Sequence, residues 1–106
     1  MTQTEFHLTF EQQVKRCEET LLNKAKEYTG NSPDRLSAFK TAAALQECTP
    51  ERALAGMMAK HIISIYDMCF SEQESYDQSI WNEKITDTLN YLFLLNALVR
   101  EEGFNE

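Results

Sequence analysis

Glu83 and Asp87 stand four residues apart, and Asn90 follows three later, a spacing that stacks two carboxylates and an amide on one stripe of a helix. Continued by helical steps, the stripe reaches Leu94, Ala97 and Leu98, so a side that starts polar becomes apolar. A helix that is apolar nearly all round in its second half belongs in the interior of an assembly, so Glu83 and Asp87 are expected to turn toward other helices. Carboxylates in that position need a cation. Two of them one turn apart supply the hard oxygen ligands that Mg²⁺ prefers, leaving its remaining positions to water and substrate phosphates. The rival cation is a Lys or Arg from another helix. A solvated face or an internal ion pair also fits an isolated E-x-x-x-D.

Lys60, Ser64 and Asp67 share a second stripe, while His61 falls on an apolar face with Leu54, Met57 and Ile65. Asp67 is thus a candidate third carboxylate, and His61 with Lys60 are candidate catalytic groups. A lone His on an apolar face also reads as a hydrogen-bonded core residue. Near the N-terminus Glu18 lies at the edge of an apolar stripe whereas Glu19 points away, which makes Glu18 the fourth candidate metal ligand. Lys24, Lys26, Arg35 and Lys40 gather around one predicted turn together with Tyr28. Lys24 and Arg35 are the candidate substrate ligands, because cations and the free N–H groups at a helix start attract phosphate. The plain alternative is that these bases offset neighbouring acids or helix ends.

Several chemistries are absent from the pattern. There is no Walker-type phosphate loop, no G-x-S-x-G elbow and no HExxH, and His7 and His61 form no zinc motif with Cys17, Cys48 and Cys69. The thiols are an odd, widely spaced set and read as reduced core residues. A net charge of -7 argues against direct binding to DNA or RNA, where a Lys/Arg face supplies most of the affinity. No apolar run has membrane-spanning length, and Glu5 and His7 interrupt any secretory N-terminus, so a cytoplasmic protein with no membrane partner is expected.

The elements that must position these residues read as helices throughout, since 3 Gly and 2 Pro are too few for a turn-rich β fold. Residues 1–106 are the length of one all-α domain. Thr9 and Gln12 have capping-box spacing, which predicts a first helix from there to Tyr28–Gly30 with Phe10, Val14, Cys17, Leu21, Ala25 and Tyr28 inward. Ser32-Pro33 predicts the start of a second helix carrying Leu36, Phe39, Ala43 and Leu45. Thr49-Pro50 predicts a third, to about Phe70, with Leu54, Met58, Ile62, Ile65 and Cys69 on one face. Asp77 or Ser79 caps a long fourth whose apolar side includes Trp81, Ile85, Leu89, Leu92, Leu95 and Val99. About four helices with short connections predict a bundle, or a half-bundle completed in a homo-oligomer.

The segments Lys24 to Tyr28 (KAKEY), Asp34 to Lys40 (DRLSAFK), Lys60 to Met68 (KHIISIYDM) and Trp81 to Tyr91 (WNEKITDTLNY) resemble small helical proteins of Gram-positive bacteriophages and prophages, over most of residues 20–102. More distantly, carboxylates at E-x-x-x-D spacing in a small acidic helical chain resemble the MazG and dUTPase-like nucleotide pyrophosphohydrolases. That family pairs an E-E-x-x-E helix with a later E-x-x-D segment; here Glu18-Glu19 is followed by Leu22 in place of the third Glu, and the later pair is Glu83 and Asp87. The resemblance implies Mg²⁺, oligomerisation and cleavage of a nucleoside triphosphate to monophosphate and pyrophosphate. The competing expectation is a non-catalytic interaction module of phage origin, whose acidity suits a basic host or phage protein.

Overall fold

Thr2 starts the first helix. In the computed structural model, which describes residues 1–23, 25, 29, 30, 32–72 and 75–104, the Thr2 hydroxyl accepts the Glu5 N–H at 3.0 Å and the Glu5 carboxylate accepts the Thr2 N–H at 3.4 Å. This reciprocal capping box satisfies two of the N–H groups that a helix start leaves open, and α1 (Gln3–Asn23) begins well ahead of Thr9. Thr9 lies inside the helix, its hydroxyl donating to the Phe6 carbonyl at 2.8 Å. Of the predicted end of this helix, Tyr28 lies outside the described residues.

The second helix starts later than Pro33 suggests. The Ser32 hydroxyl accepts the Asp34 N–H at 3.1 Å and the Asp34 carboxylate accepts the Leu36 N–H at 2.9 Å. Two local side-chain turns therefore take up the backbone donors before α2 (Ser37–Gln46) begins, and Pro33 stands in the approach rather than in the first helical turn. At its far end Glu47 adopts φ 53°, ψ 47°, and the N–H of Cys48 reaches back to the Ala43 carbonyl at 3.0 Å. This left-handed cap reverses the chain sharply. Leu45, predicted inward, is 82% exposed there.

Thr49 and Pro50 behave as predicted. The Thr49 hydroxyl accepts the Arg52 N–H at 3.2 Å, Pro50 occupies the first position, and α3 spans Pro50–Phe70. Its inward face differs from the one expected. Ala53, Leu54 and Met68 are buried with Met57 packed beside them, whereas Ile62 and Cys69 are exposed. The helix is apolar over so much of its circumference that periodicity alone does not choose a face.

α4 (Gln78–Phe104) starts at Asp77, whose carbonyl accepts the N–H groups of Ile80 and Trp81, and Tyr76 packs edge-on against the Trp81 ring at 6.1 Å. Close packing between helices runs in the order α1, α4, α3, α2. α4 is therefore the axis of the molecule, and two of its sides are occupied. Its buried positions are Thr86, Asn90 and Leu98, with Tyr91, Leu94 and Leu95 half-buried around the cluster of Leu36, Phe39, Leu54 and Leu98. This is the stripe that begins at Glu83 and Asp87, and it turns inward only in part: Asp87 is half-buried, but Glu83 and Ala97 are exposed. The expected apolar side is also only partly covered: Leu92 and Val99 are exposed. All described elements are α-helices, and the four-helix, all-α architecture read from the sequence is the one found.

Cys17 is buried, Cys48 half-buried and Cys69 exposed, and all three are free thiols. Gln13 Nε2 donates to Thr86 Oγ1 at 2.9 Å, tying α1 to α4. No helix of the described residues is long and apolar enough to cross a membrane.

Candidate functional site

Because α1 and α2 each pack closely on a different central helix and not on each other, a space is left between them, roofed by α3 and α4. This cavity has a volume of about 310 Å³. Leu21, Phe39, Met57 and Leu94 line it with apolar surface, and Arg35, His61, Asp87, Asn90 and Tyr91 bring polar groups to it. A mainly apolar hollow with a few convergent polar groups is the usual form of a small-molecule site.

The polar groups are set apart by what they lack. Arg35 Nη1, His61 Nδ1 and both Nδ2 and Oδ1 of Asn90 are buried without a hydrogen-bond partner. Asn90 is only 6% exposed and sits on the central helix, so neither chain motion nor bulk water readily satisfies it. An unpaired buried polar group costs about 1–3 kcal/mol, and four such atoms belong to three residues that line this one hollow. Arg35 is held there through Nη2, which donates to the Leu21 carbonyl at 3.3 Å near the end of α1. The His61 ring packs on Tyr91 with centroids 5.2 Å apart, and its Nδ1 lies 4.0 Å from Asp87 Oδ2. That distance is too long for a hydrogen bond and short enough for an ion pair when the imidazole is protonated.

Asp87 and Thr20 also border a second, shallower space of about 240 Å³ on the α1–α4 side, lined further by Arg16, Glu19, Asn82, Glu83 and Thr86. Cavity and groove thus meet at Asp87. Arg16 Nη1 donates to Gln13 Oε1 at 3.5 Å, and among the described residues no Lys or Arg nitrogen lies within 4.0 Å of the Glu83 or Asp87 carboxylates. Of the rival expectation, a Lys or Arg neutralising this pair, the described residues show none; His61 alone approaches Asp87.

The structure brings Glu83 and Asp87 to one groove, and Asp87, His61 and Arg35 to one cavity. It does not bring Asp67, Lys60 or Glu18 to either: all three are exposed and line neither space. The groove holds Glu19 in place of Glu18, because α1 packs only against α4 and the face it turns there runs through Gln13, Arg16 and Thr20. Among the described residues no three His, Cys, Asp or Glu side chains are grouped so as to hold a metal ion. Lys24 lies outside the described residues.

Lys40 is not free for a ligand. Its ammonium bridges the Asp34 and Glu101 carboxylates, fastening the approach to α2 to the end of α4. The hydrogen bond from Lys40, helped by the Leu36 N–H, holds the Asp34 carboxyl below its ordinary 3.8, and Asp34 and then Glu101 hold the Lys40 ammonium above its ordinary 10.5. For this member of the basic cluster, compensation of neighbouring acids is the right reading.

Sequence reasoning placed Asn90 on the stripe of Glu83 and Asp87 but gave it no part in binding; it read Phe39 as an ordinary apolar position and gave Tyr91 no role. The available signal was an amide flanked by Leu89 and Tyr91 where α4 enters its apolar second half. Comparison of the chain with protein-family models, curated proteins and solved structures gives no match to any of them, so the site is read from its own geometry.

Proposed function

We propose that this chain is a nucleotide-binding helical protein that cleaves nucleoside triphosphates with Mg²⁺, releasing monophosphate and pyrophosphate, and that it works as a homo-oligomer in the cytoplasm of a phage-carrying or phage-infected host. The observation that carries the reading is the junction at Asp87. On one side is a mainly apolar cavity with unpaired buried hydrogen-bonding atoms, of a size and character for a base and sugar. On the other is a groove bearing the Glu83 and Asp87 carboxylates, with no Lys or Arg paired to them among the described residues.

Mg²⁺ is commonly held by one or two carboxylates together with substrate phosphates and water, so this pair fits the ion without a third protein ligand. When bound there, the ion neutralises phosphate charge and lowers the pKa of a bound water. The chain's own groups do the rest. Arg35 offers a buried guanidinium N–H to the ligand, the apolar walls exclude water, and His61 Nδ1 can hold a proton beside Asp87. Lys24 remains the second candidate for the phosphates.

Incubation of the protein with each triphosphate, with and without Mg²⁺, followed by separation of the products, tests the reaction. Pyrophosphate and monophosphate are expected only with metal, and Glu83→Ala is expected to lower turnover by about 10²-fold or more, the usual scale for lost charge stabilisation at a reacting phosphate. Full metal-dependent turnover by Glu83→Ala removes the site assignment. Absence of both turnover and any Mg²⁺-nucleotide effect on thermal stability removes the nucleotide reading and leaves the interaction module, which the exposed apolar residues of α3 favour.

A further inference from the structure

We infer that α3 pairs antiparallel with the α3 of a second copy of this chain, in the register that sets Ile62 against the partner's Ile63 and Lys60 beside the partner's Asp67. This rests on the homo-oligomer part of the reading above and is independent of its nucleotide part. The outer side of α3 is uncovered: Ile62, Ile63, Tyr66 and Phe70 are all exposed there. The accessible area of 8137 Å² is roughly 2,000 Å² above the about 6,100 Å² usual for a monomer of 12.3 kDa. That surplus is more than the about 800 Å² per partner that a stable interface buries.

The order of residues along the face sets the direction of the partner. From its N-terminal end the exposed stripe holds Ala55 and Ala59, then Ile62 and Ile63, then Tyr66 and Phe70, whose rings stack at 4.5 Å into one raised ridge. The first half is low and the second high. A copy laid on it in the same direction would press ridge against ridge and leave the alanines facing each other across a gap. Turned end for end about a two-fold axis between residues 62 and 63, the copy sets the partner's Tyr66 over Ala59 and the partner's Phe70 over Ala55. Large side chains then fill the low ground opposite them, as close packing of helices requires.

Charge selects the same register. Lys60 and Asp67 are exposed on one flank of this face and take part in no ion pair among the described residues. Two helical turns separate them, so they do not pair with each other. The two-fold axis brings this flank of one copy to the same flank of the other, and Lys60 then stands about 3 Å along the axis from the partner's Asp67. Symmetry makes two such pairs at the rim of the apolar strip, where charges fix register and orientation more than they add affinity. In a parallel pair this flank meets the opposite one, and Lys60 does not reach the partner's Asp67.

The test uses the whole chain at low salt, with monomer and dimer followed by sedimentation over a dilution series. Lys60→Glu and Asp67→Lys each set like charges together at both rims, and each alone is expected to weaken the dimer roughly tenfold, the effect of two exposed pairs reversed at once. Mixed in equal amounts, the two variants regain opposite charges at both rims, and a heterodimer within about threefold of wild-type affinity is expected. An ion pair formed inside one chain is not repaired by mixing. Ala59→Phe is expected to weaken the dimer by filling the space of the partner's Tyr66, and Tyr66→Ala added to it to recover the dimer. These positions are exposed, so each variant is expected to keep the wild-type circular dichroism.

Single charge variants as tight as the wild type would overturn the inference, as would a mixture no tighter than its components; a wild-type dimer in either case leaves the homo-oligomer reading standing. A wild-type chain that stays at 12.3 kDa throughout would end both. Triphosphate turnover then still decides the nucleotide reading.

Discussion

Asn90 concentrates the cost of the site in one residue. Its amide is buried in the longest helix with neither polar atom paired, and the residues one turn on, Leu94 and Leu98, are the apolar ones such a position ordinarily holds. A side chain kept against its own folding interest predicts a trade between stability and binding. Asn90→Leu removes two unpaired groups and adds apolar surface to the hollow that Asn90 lines with Phe39 and Leu94. The variant is expected to unfold at a higher temperature than the wild type, by an amount equivalent to about 1–3 kcal/mol, and to lose nucleoside binding. A variant less stable than the wild type would show that Asn90 is satisfied in the free protein and is not held in reserve. The ion pairs at Lys40 carry a different signature, because they are partly exposed and tie surface segments together. Asp34 titrates lower in the folded chain than in the unfolded one, so its contribution is present above pH 3.8 and fades as pH falls through the lowered value. Lys40→Met is therefore expected to lower the melting temperature slightly at neutral pH. The gap from wild type should close in acid, as read from melting curves across pH 2–7. A gap that stays constant to pH 2 would assign the loss to the Lys40 methylenes instead of its charge.

At the scale of elements, the two Thr caps separate a helix that carries the core from one that only partly does. Thr49 caps α3, whose first turns bury Ala53 and Leu54, so Thr49→Ala is expected to cost about 1 kcal/mol of global stability by denaturant titration. Thr2 caps the first turn of α1, where Phe6, Leu8 and Phe10 are all exposed. Thr2→Ala is expected to increase amide exchange in that turn while leaving the global midpoint unchanged, since exposed helix ends open locally. The same contrast explains what was legible beforehand. Thr49-Pro50 combines a side-chain cap with a residue pre-set for the first turn, and it marked the start of α3 correctly. Thr2 and Glu5 hold an equally good box, but the apolar repeat that follows Thr9 is stronger and drew the predicted start inward. Ser32-Pro33 has the right letters for a helix start, yet Asp34 takes the Leu36 N–H first and postpones the helix. Helix type could be read because period and caps are local. The inward faces of α3 and α4 could not, because both helices are apolar over most of their circumference and their neighbours alone decide which side is covered. For the same reason Glu83, Asp87 and Asn90 could be put on one stripe from spacing, since polar residues on an apolar helix stand out. The place of Glu19 on the groove could not be read, because its partner face belongs to α4, far along the chain.

At the scale of the molecule, the surface is larger than a monomer of this mass usually has. The accessible area is 8137 Å², roughly 2,000 Å² above the about 6,100 Å² usual for a monomer of 12.3 kDa. The radius of gyration is 16.1 Å against about 13 Å for a compact domain of this length. The shape follows from packing in a row, which leaves the outer side of α3 uncovered. Along that side Ile62 and its neighbour Ile63 precede Tyr66 and Phe70 by helical steps, all exposed, with the Tyr66 and Phe70 rings stacked at 4.5 Å. An apolar stripe on one helix pairs readily with its own copy about a two-fold axis, since each residue then meets a complementary one. The surplus area is also on the scale buried per partner in obligate homodimers. Sedimentation at tens of micromolar is therefore expected to give twice the mass of the chain, and Ile63→Asp is expected to give the single mass, because a charge at the centre of the pairing face would be desolvated without a partner. Leu45→Asp, equally exposed but at the end of α2, should leave the dimer intact. In a monomer either substitution would change stability by only about 0.5 kcal/mol, so the wild-type mass carries the decision. A wild-type chain that sediments at 12.3 kDa throughout this range would mean that the outer face of α3 awaits a different protein.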